Sequence, residues 1–367
     1  MNINNASLYL KTPLRILLAI STLSKGGAER VMARLANWLH KCNYEIALTT
    51  FRTDINEWPL QRDIIRYNID DYKLSGESGE SGAICGLKRI IQAYRPTHFL
   101  SFMVKMNLRV VQAAKGEKAK VILCDRIFPP SCYTDDLMQS CSQLYPHADA
   151  LVMLTKRCID EWAASFMPRN KLYIIPNPYI PHDGEPTLPL KNQYLLAVAR
   201  LEPQKGLSDL LRAFASFSVR YPHVFLLIAG QGVDEPRLHE QARILNIADK
   251  LRFVGFCPNP ELLYKNALFF VSASHFEGFP NALVEAMYLG CPAIFTDCPT
   301  GPRELLGNNE RGLLVPVGNI DELTNAMIKM YTNVILREEY IKNAYVYASK
   351  FTEDCIFRQW VDLFNHI

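Results

Sequence analysis

Residues 176–186 read Pro176-Asn177-Pro178-Tyr179-Ile180-Pro181-His182-Asp183-Gly184-Glu185-Pro186, with four prolines and a glycine in eleven positions. Proline removes a backbone donor and fixes φ, so this stretch continues neither a helix nor a central strand. It reads as a linker, and the pattern on each side of it repeats. Upstream, the short apolar runs Leu14–Ile20, Glu45–Phe51, His98–Met103, Lys120–Cys124, Ala150–Leu154 and Lys171–Ile175 alternate with amphipathic stretches such as Ala28–His40 and Gly86–Tyr94. Downstream, strands are predicted at Gln193–Ala199, His223–Gly230, Lys250–Gly255, Ala267–Ser272 and Ala293–Thr296. Between them fall helices at Gly206–Arg220, Asp234–Leu245, Asn259–Asn266 and Asn281–Leu289. Short apolar runs alternating with helices define βαβ units and a parallel sheet covered on both faces. The expected architecture is therefore α/β: two doubly wound, Rossmann-like domains, residues 1–180 and 181–350, facing each other across a cleft. Residues 351–367 are expected to form a terminal helix able to cap either domain, with Phe357, Trp360, Val361 and Phe364 on one face. In such sheets ligands sit beyond the carboxyl ends of the strands.

The 367 residues suit two domains at about 150 residues each. With 49% apolar and 21% charged residues the chain is an ordinary globular protein, which excludes disorder, collagen and coiled coil. A net charge of +3 argues against a dedicated nucleic-acid binder. The charge is uneven: residues 1–180 carry 23 Lys and Arg against 16 Asp and Glu, and residues 181–367 carry 17 against 21. The halves are therefore expected to meet different partners. No apolar run reaches the ~20 residues that span a bilayer. Leu14–Ile20, behind Lys11 and broken by Arg15, reads as a buried strand rather than an export signal. The ten cysteines form no C-x-x-C, so they are expected to be reduced thiols in a cytoplasmic setting, without zinc. Residues 75–82, a Ser-Gly-Glu repeat, read as a flexible loop without chemistry.

Several segments carry chemistry. In Ser24-Lys25-Gly26-Gly27-Ala28-Glu29-Arg30, paired glycines at a strand-to-helix turn let backbone N–H groups approach an anion, although neither a G-x-G-x-x-G nor a P-loop is present. In Arg200-Leu201-Glu202-Pro203-Gln204-Lys205-Gly206, two cations five residues apart at a strand's carboxyl end are placed to converge on one diphosphate. His275-Phe276-Glu277-Gly278-Phe279-Pro280-Asn281-Ala282-Leu283-Val284-Glu285 sets two carboxylates eight apart around a glycine–proline turn. Asn281 is the expected N-cap, and Glu285 is expected in the first helical turn. Such an arrangement offers N–H donors to phosphate oxygens and carboxylates to hydroxyls, as a sugar nucleotide requires. Thr300-Gly301-Pro302-Arg303 is a further turn entering a helix. Cys124-Asp125-Arg126, Ser101 and Lys105–Asn107 follow strands of the first half. No Asp-x-Asp occurs, so the carboxylate pair that would hold a divalent metal against a diphosphate is missing.

Together these residues resemble the glycosyltransferases of the GT-B fold, and more narrowly the retaining family 4 enzymes of bacterial polysaccharide and lipid-linked oligosaccharide synthesis. The likeness runs from Ser24 to Arg311-Gly312-Leu313-Leu314-Val315 and is strongest over Glu277 to Glu285 and over Arg200 with Lys205. It implies that Gly26 and Gly27 line the cleft, that Arg200 and Lys205 bind the donor diphosphate, and that Glu277 contacts the donor sugar and Glu285 the ribose. It further implies that the backbone of Gly278, Phe279, Pro280 and Asn281 supports the phosphates, and that Gly255-Phe256-Cys257 lies near the nucleobase. Where many relatives carry a His, this chain has Asp125 and Arg126, which with Lys105 become the acceptor-side candidates. The implied reaction is front-face transfer with retention from a nucleotide-diphosphate sugar, UDP-linked by family association, with no cofactor or metal and with Arg200, Lys205 and Glu277 as the catalytic group. The implied acceptor is a polyprenyl-diphosphate-linked glycan at the inner face of the membrane. Lys88, Arg89 and Arg95, beside Ile90, Ile91 and Tyr94, offer either a surface for anionic lipid or a solvated helix face. Other readings are a nucleotide-sugar epimerase on the same fold and a non-catalytic partner subunit; a nicotinamide oxidoreductase lacks its glycine fingerprint.

Overall fold

The structure is a computed structural model that describes residues 14–24, 26–51, 56–182, 184–189 and 191–367. Lys11, Lys25 of the glycine turn and Asp183 of the linker lie outside the described residues. The chain divides into two compact units. One takes the chain up to Ile175 together with Phe357–Ile367, and the other is Pro176–Ile356. The break therefore falls at the first proline of the linker rather than at residue 180, and the chain rejoins the first unit at Phe357.

The first unit holds seven strands: β1 (Arg15–Ala19), β2 (Glu45–Thr50), β3 (Ile65–Asn68), β4 (His98–Phe102), β5 (Lys120–Cys124), β6 (Ala150–Met153) and β7 (Leu172–Ile174). They are ordered β3-β2-β1-β4-β5-β6-β7. The second unit holds β8 (Tyr194–Val198), β9 (Phe225–Ala229), β10 (Leu251–Gly255), β11 (Phe269–Ser272), β12 (Ala293–Thr296) and β13 (Leu313–Val315), ordered β10-β9-β8-β11-β12-β13. Every ladder in both sheets is parallel, with registers such as Leu17↔Ala47 and Phe270↔Ala293. Strand order reverses between β1 and β4 in one sheet and between β8 and β11 in the other. These are the topological switch points at which such sheets open a crevice.

Two strands escaped the apolar-run pattern. β3 is an edge strand whose Ile65 is 52% exposed, so its composition alternates instead of running apolar. β13 is three residues long. The Ser-Gly-Glu repeat is not a plain loop: the helix Gly79–Tyr94 starts inside it, with Ser78 as its N-cap residue. Glu77 accepts two hydrogen bonds from Arg89, at 2.6 and 2.7 Å, and the Arg89 guanidinium holds its carboxyl down at about 2. On the same helix Ile90, Ile91 and Tyr94 are buried in the core of the first unit, leaving Lys88 and Arg95 exposed.

The terminal helix Glu353–His366 completes the first unit. Phe357 and Trp360 are wholly buried and Phe364 nearly so, whereas Val361 is half-buried and Leu363 takes its place. Phe357 meets Trp38 at 5.9 Å between ring centroids, and Trp360 meets Phe102 at 5.8 Å. All four tryptophans, Trp38, Trp58, Trp162 and Trp360, belong to this unit, so tryptophan fluorescence reports on it selectively. Phe357→Ala removes a buried ring and should cost about 3–5 kcal/mol. The urea transition followed by tryptophan fluorescence should move to lower denaturant, and an unchanged midpoint would show that the terminal helix adds nothing to this unit.

Candidate functional site

β8 ends at Val198, and the chain passes through a single 3-10 turn, Pro203–Lys205, into the helix Leu207–Arg220. Gly206 sits between them at φ +60°, and a Cβ there would lie 1.9 Å from the Ala273 carbonyl oxygen. Only glycine permits this approach, which presses the loop after β8 onto the loop after β11. Two hydrogen bonds fasten the pair: the His275 N–H donates to the Gln204 carbonyl, and the Gln204 side-chain amide donates to the Phe276 carbonyl, both at 2.8 Å.

This clamp brings Lys205 to Glu277. The ammonium donates to Oε1 at 2.8 Å and to Oε2 at 2.9 Å, and the two side chains are 16% and 9% exposed. They line a cavity of about 140 Å³ with Ser272, Ser274, Asn281 and Ala282. A third loop braces the carboxylate. The Thr300 hydroxyl donates to the Glu277 carbonyl and, at 3.3 Å, to the Gly278 carbonyl. Thr300 does so at φ +64°, a costly backbone for a β-branched residue. Gly301 follows at φ +92°, where a Cβ would meet Pro280 Cδ at 2.3 Å. Burial also pushes the neighbouring Cys298 thiol up to about 12, helped by the Glu277 charge.

The helix Asn281–Tyr288 begins at the cavity, with Pro280 as its cap residue. Asn281 is thus the first helical residue rather than the N-cap, because its Oδ1 is taken up by the Asn177 amide at 2.8 Å. Glu285 is the fifth residue, in the second turn, so the helix dipole does not account for it. Its two oxygens are shared between the Tyr264 hydroxyl, which donates to Oε2 at 3.0 Å, and His182 Nε2, 3.3 Å from Oε1. Phe279 is buried against Phe351 with centroids 6.0 Å apart.

Arg200 stands apart from this cluster. Its guanidinium donates to Glu202 at 2.7 Å and is 64% exposed, so the expected convergence with Lys205 is absent from this structure. Arg303 is likewise turned aside, bonded to Asp297 and to Asn308. Phe256 is exposed just past the end of β10. That strand lies two places from β8 in the sheet order, so the ring is set well to one side of the Lys205–Glu277 pair.

In the first unit Gly26 is the cap residue of the helix Gly27–Lys41, and its carbonyl accepts from the Trp58 indole at 3.0 Å. Its conformation is extended, so no left-handed φ requires glycine there, and the atoms nearest to an added Cβ belong to the end of the flexible Glu29 side chain. Gly27 is exposed at the first helical position. At the end of β5, Asp125 is fully buried and accepts from the Asn107 amide at 2.9 Å and from the Tyr145 hydroxyl at 3.1 Å. Ser101 joins through a 2.6 Å hydrogen bond to Asn107. Burial pushes the Asp125 carboxyl up to about 7, against the lowering effect of these hydrogen bonds. Arg126 lies over the Phe102 ring at 4.4 Å and reaches Cys124 Sγ at 3.5 Å, and Lys105 is exposed on the helix Val104–Ala113. Ser101, Asn107 and Asp125 therefore form one centre that Lys105 does not enter.

The residues that sequence reasoning missed at the second unit's site are Thr300 as a brace, Ser272 and Ser274 in the cavity, and Tyr264 and His182 around Glu285. For Thr300, Ser272, Ser274 and Tyr264 the signal was position near a strand end, and His182 in the linker gave none.

The chain is similar to several known proteins. Residues 182–347 match the family described as Glycosyl transferases group 1. A Campylobacter jejuni protein described as N-acetylgalactosamine-N,N'-diacetylbacillosaminyl-diphospho-undecaprenol 4-alpha-N-acetylgalactosaminyltransferase is 28% identical over 365 residues, 92% of this chain and 96% of that one. A second protein of that organism, described as GalNAc-alpha-(1->4)-GalNAc-alpha-(1->3)-diNAcBac-PP-undecaprenol alpha-1,4-N-acetyl-D-galactosaminyltransferase, is 24% identical over 96% of this chain and 99% of its own. Among solved structures, Anabaena HepE in complex with UDP and glucose superposes with a TM-score of 0.82 at 18% identity, covering 96% of this chain and 100% of that one. The fold is thus that of the GT-B glycosyltransferases. The chain carries a group 1 glycosyltransferase domain over residues 182–347 and is a transferase enzyme.

A carboxyl whose folded value lies above its unfolded one binds its proton more tightly in the folded state. Asp125 therefore lowers stability progressively as pH rises from the ordinary carboxyl range, 3.8, to about 7, because the folded state then has to give up a proton it holds more tightly. Asp125→Asn keeps the shape and removes this dependence, which is on the order of 4 kcal/mol across the window. Between about pH 4 and about pH 8 the urea midpoint read by tryptophan fluorescence should rise more, or fall less, in the variant than in the wild type, and the same pH dependence in both would show that folding does not shift the Asp125 carboxyl.

Proposed function

We propose that the chain moves a hexosyl group from a nucleoside-diphosphate sugar, UDP-linked, to a polyprenyl-diphosphate-linked glycan, with retention at the anomeric carbon and without a metal ion. The observation that carries this reading is the Lys205–Glu277 pair at the β8/β11 switch point, beside the start of a helix. The acceptor class is supported by the undecaprenol-linked names of the two Campylobacter relatives, and the donor by the UDP complex of the Anabaena protein.

In this reading the donor diphosphate displaces the Glu277 carboxylate from the Lys205 ammonium. Glu277 is then released to accept hydrogen bonds from sugar hydroxyls. At the start of the helix Asn281–Tyr288 the N–H groups of Asn281, Leu283 and Val284 donate to the Phe279 and Pro280 carbonyls, so in this reading the Ala282 N–H is the one offered to the phosphates. Arg200 leaves Glu202 at little cost, since exposed ion pairs are worth about 0–1 kcal/mol, and joins Lys205 on the leaving group. The bond from the anomeric carbon to the diphosphate oxygen breaks as the bond to the acceptor oxygen forms on the same face, and the departing phosphate oxygen takes the acceptor's proton. Charge on the diphosphate grows during this step, so cations fixed beside it lower the barrier. Gly26, Gly27 and Phe256 belong to the donor site in this reading, and Lys105, Asp125 and Arg126 to the acceptor side. Among the described residues no helix is long and apolar enough to cross a membrane. With Ile90, Ile91 and Tyr94 buried, contact with an anionic membrane surface would rest on Lys88 and Arg95.

Lys205→Ala should fold normally by circular dichroism yet lose about 10- to 100-fold or more in transfer, the worth of one charge-assisted hydrogen bond of roughly 1.5–3 kcal/mol. Near-wild-type turnover at saturating donor would remove Lys205 from the mechanism. Transfer should also persist in excess EDTA, and a complete loss restored by added metal would contradict the metal-free reading.

A further inference from the structure

We infer that His182 is a positioning residue for Glu285 and thereby sets the enzyme's preference for a ribose over a deoxyribose in its nucleotide. The inference rests on the reading above that Glu285 meets the ribose of the donor.

Glu285 lies four residues after Asn281 on one helix, so both project from the same face, and Asn281 lines the cavity beside Lys205. A nucleoside diphosphate whose phosphates meet Lys205 has its ribose as the next group along. A carboxylate suits this place, because it accepts from ribose hydroxyls and deoxyribose offers it fewer donors. Its discrimination depends on how well its oxygens are held, since a mobile carboxylate follows any ligand and rejects none.

Two groups hold it. The Tyr264 hydroxyl donates to Oε2 at 3.0 Å. His182 approaches Oε1 from the linker side, with a side chain only 10% exposed. The imidazole is oriented by its other nitrogen, because Nδ1 lies 3.1 Å from the Pro258 carbonyl oxygen. A carbonyl only accepts, so Nδ1 carries hydrogen. Nε2, closed to solvent and without another hydrogen-bond partner among the described residues, then faces Oε1 at 3.3 Å. An imidazole that carries a hydrogen on Nε2 would donate across that gap and hold the carboxylate oxygen in place. The His182 backbone N–H is itself tied to Glu261 at 3.4 Å, which fixes the linker from which the ring projects.

The test compares the affinities of UDP, its 2′-deoxy and 3′-deoxy analogues and inorganic pyrophosphate for the wild type and for His182→Phe, His182→Ala and His182→Gln, by calorimetry on the full chain. The wild type should prefer UDP to the deoxy analogue that lacks the Glu285 contact by about tenfold or more. His182→Phe fills the same space without a donor, and with His182→Ala it should reduce that preference several-fold while pyrophosphate affinity stays unchanged. His182→Gln places an amide N–H near the Nε2 position and should retain most of the preference. In donor kinetics the Phe variant should raise KM with kcat nearly unchanged. Equal preference in all four proteins would overturn the role of His182 while leaving Glu285 in place. A wild type that binds UDP but ignores both deoxy changes would overturn the Glu285 reading and this inference with it.

Discussion

A cation and an anion buried side by side organise the second unit. Removing Lys205 and Glu277 from water costs several kcal/mol per ion, and only close geometry repays it. The protein supplies that geometry from three loops: a glycine without a Cβ lets the first two touch, Gln204 ties them, and a strained threonine holds the third. These are expensive features, since a positive φ at Thr300 and a glycine at position 206 both work against folding. Their common result is an ammonium and a carboxylate paired with each other at the edge of the sheet where the strand order opens. A ligand with both a phosphate and a hydroxyl can replace each ion's partner without leaving either charge bare.

The fold was largely legible because parallel strands are buried on both faces and so announce themselves as apolar runs. β5 and β12 coincide with their predicted limits for that reason. β3 was hidden because it lies at the sheet's edge with one side unpaired, and β13 because three residues make no pattern. The start of the helix Gly79–Tyr94 was hidden for a different reason. A Ser-Gly-Glu repeat is a poor helix former by propensity. What holds it is Arg89 on Glu77 and Arg109 on Glu80, pairs whose members are far apart along the chain.

At the site, legibility followed the same division between local and distant causes. Lys205 and Glu277 were readable as members of one site because each follows a strand, and strands at a switch point are neighbours whatever their separation in sequence. Asn281 as first helical residue instead of cap was not readable, because its side chain answers to Asn177, in the linker ahead of the whole second sheet. Arg200 pairs with Glu202 through a choice of rotamer on an exposed loop, which composition does not encode. Thr300 looked like one residue of a turn leading to Arg303, and only the structure shows that the hydroxyl, not the guanidinium, faces the Glu277 loop.

The two ionisable centres of the molecule solve the burial of charge in opposite ways. Glu277 is matched by the full positive charge of Lys205. Asp125 is surrounded by the neutral donors of Asn107 and Tyr145. These soften the cost of burial without cancelling it, so the carboxyl is drawn towards holding a proton. The buried carboxyl also ties elements together: the end of β5, the first turn of the helix Val104–Ala113 and the Tyr145 turn meet at its two oxygens.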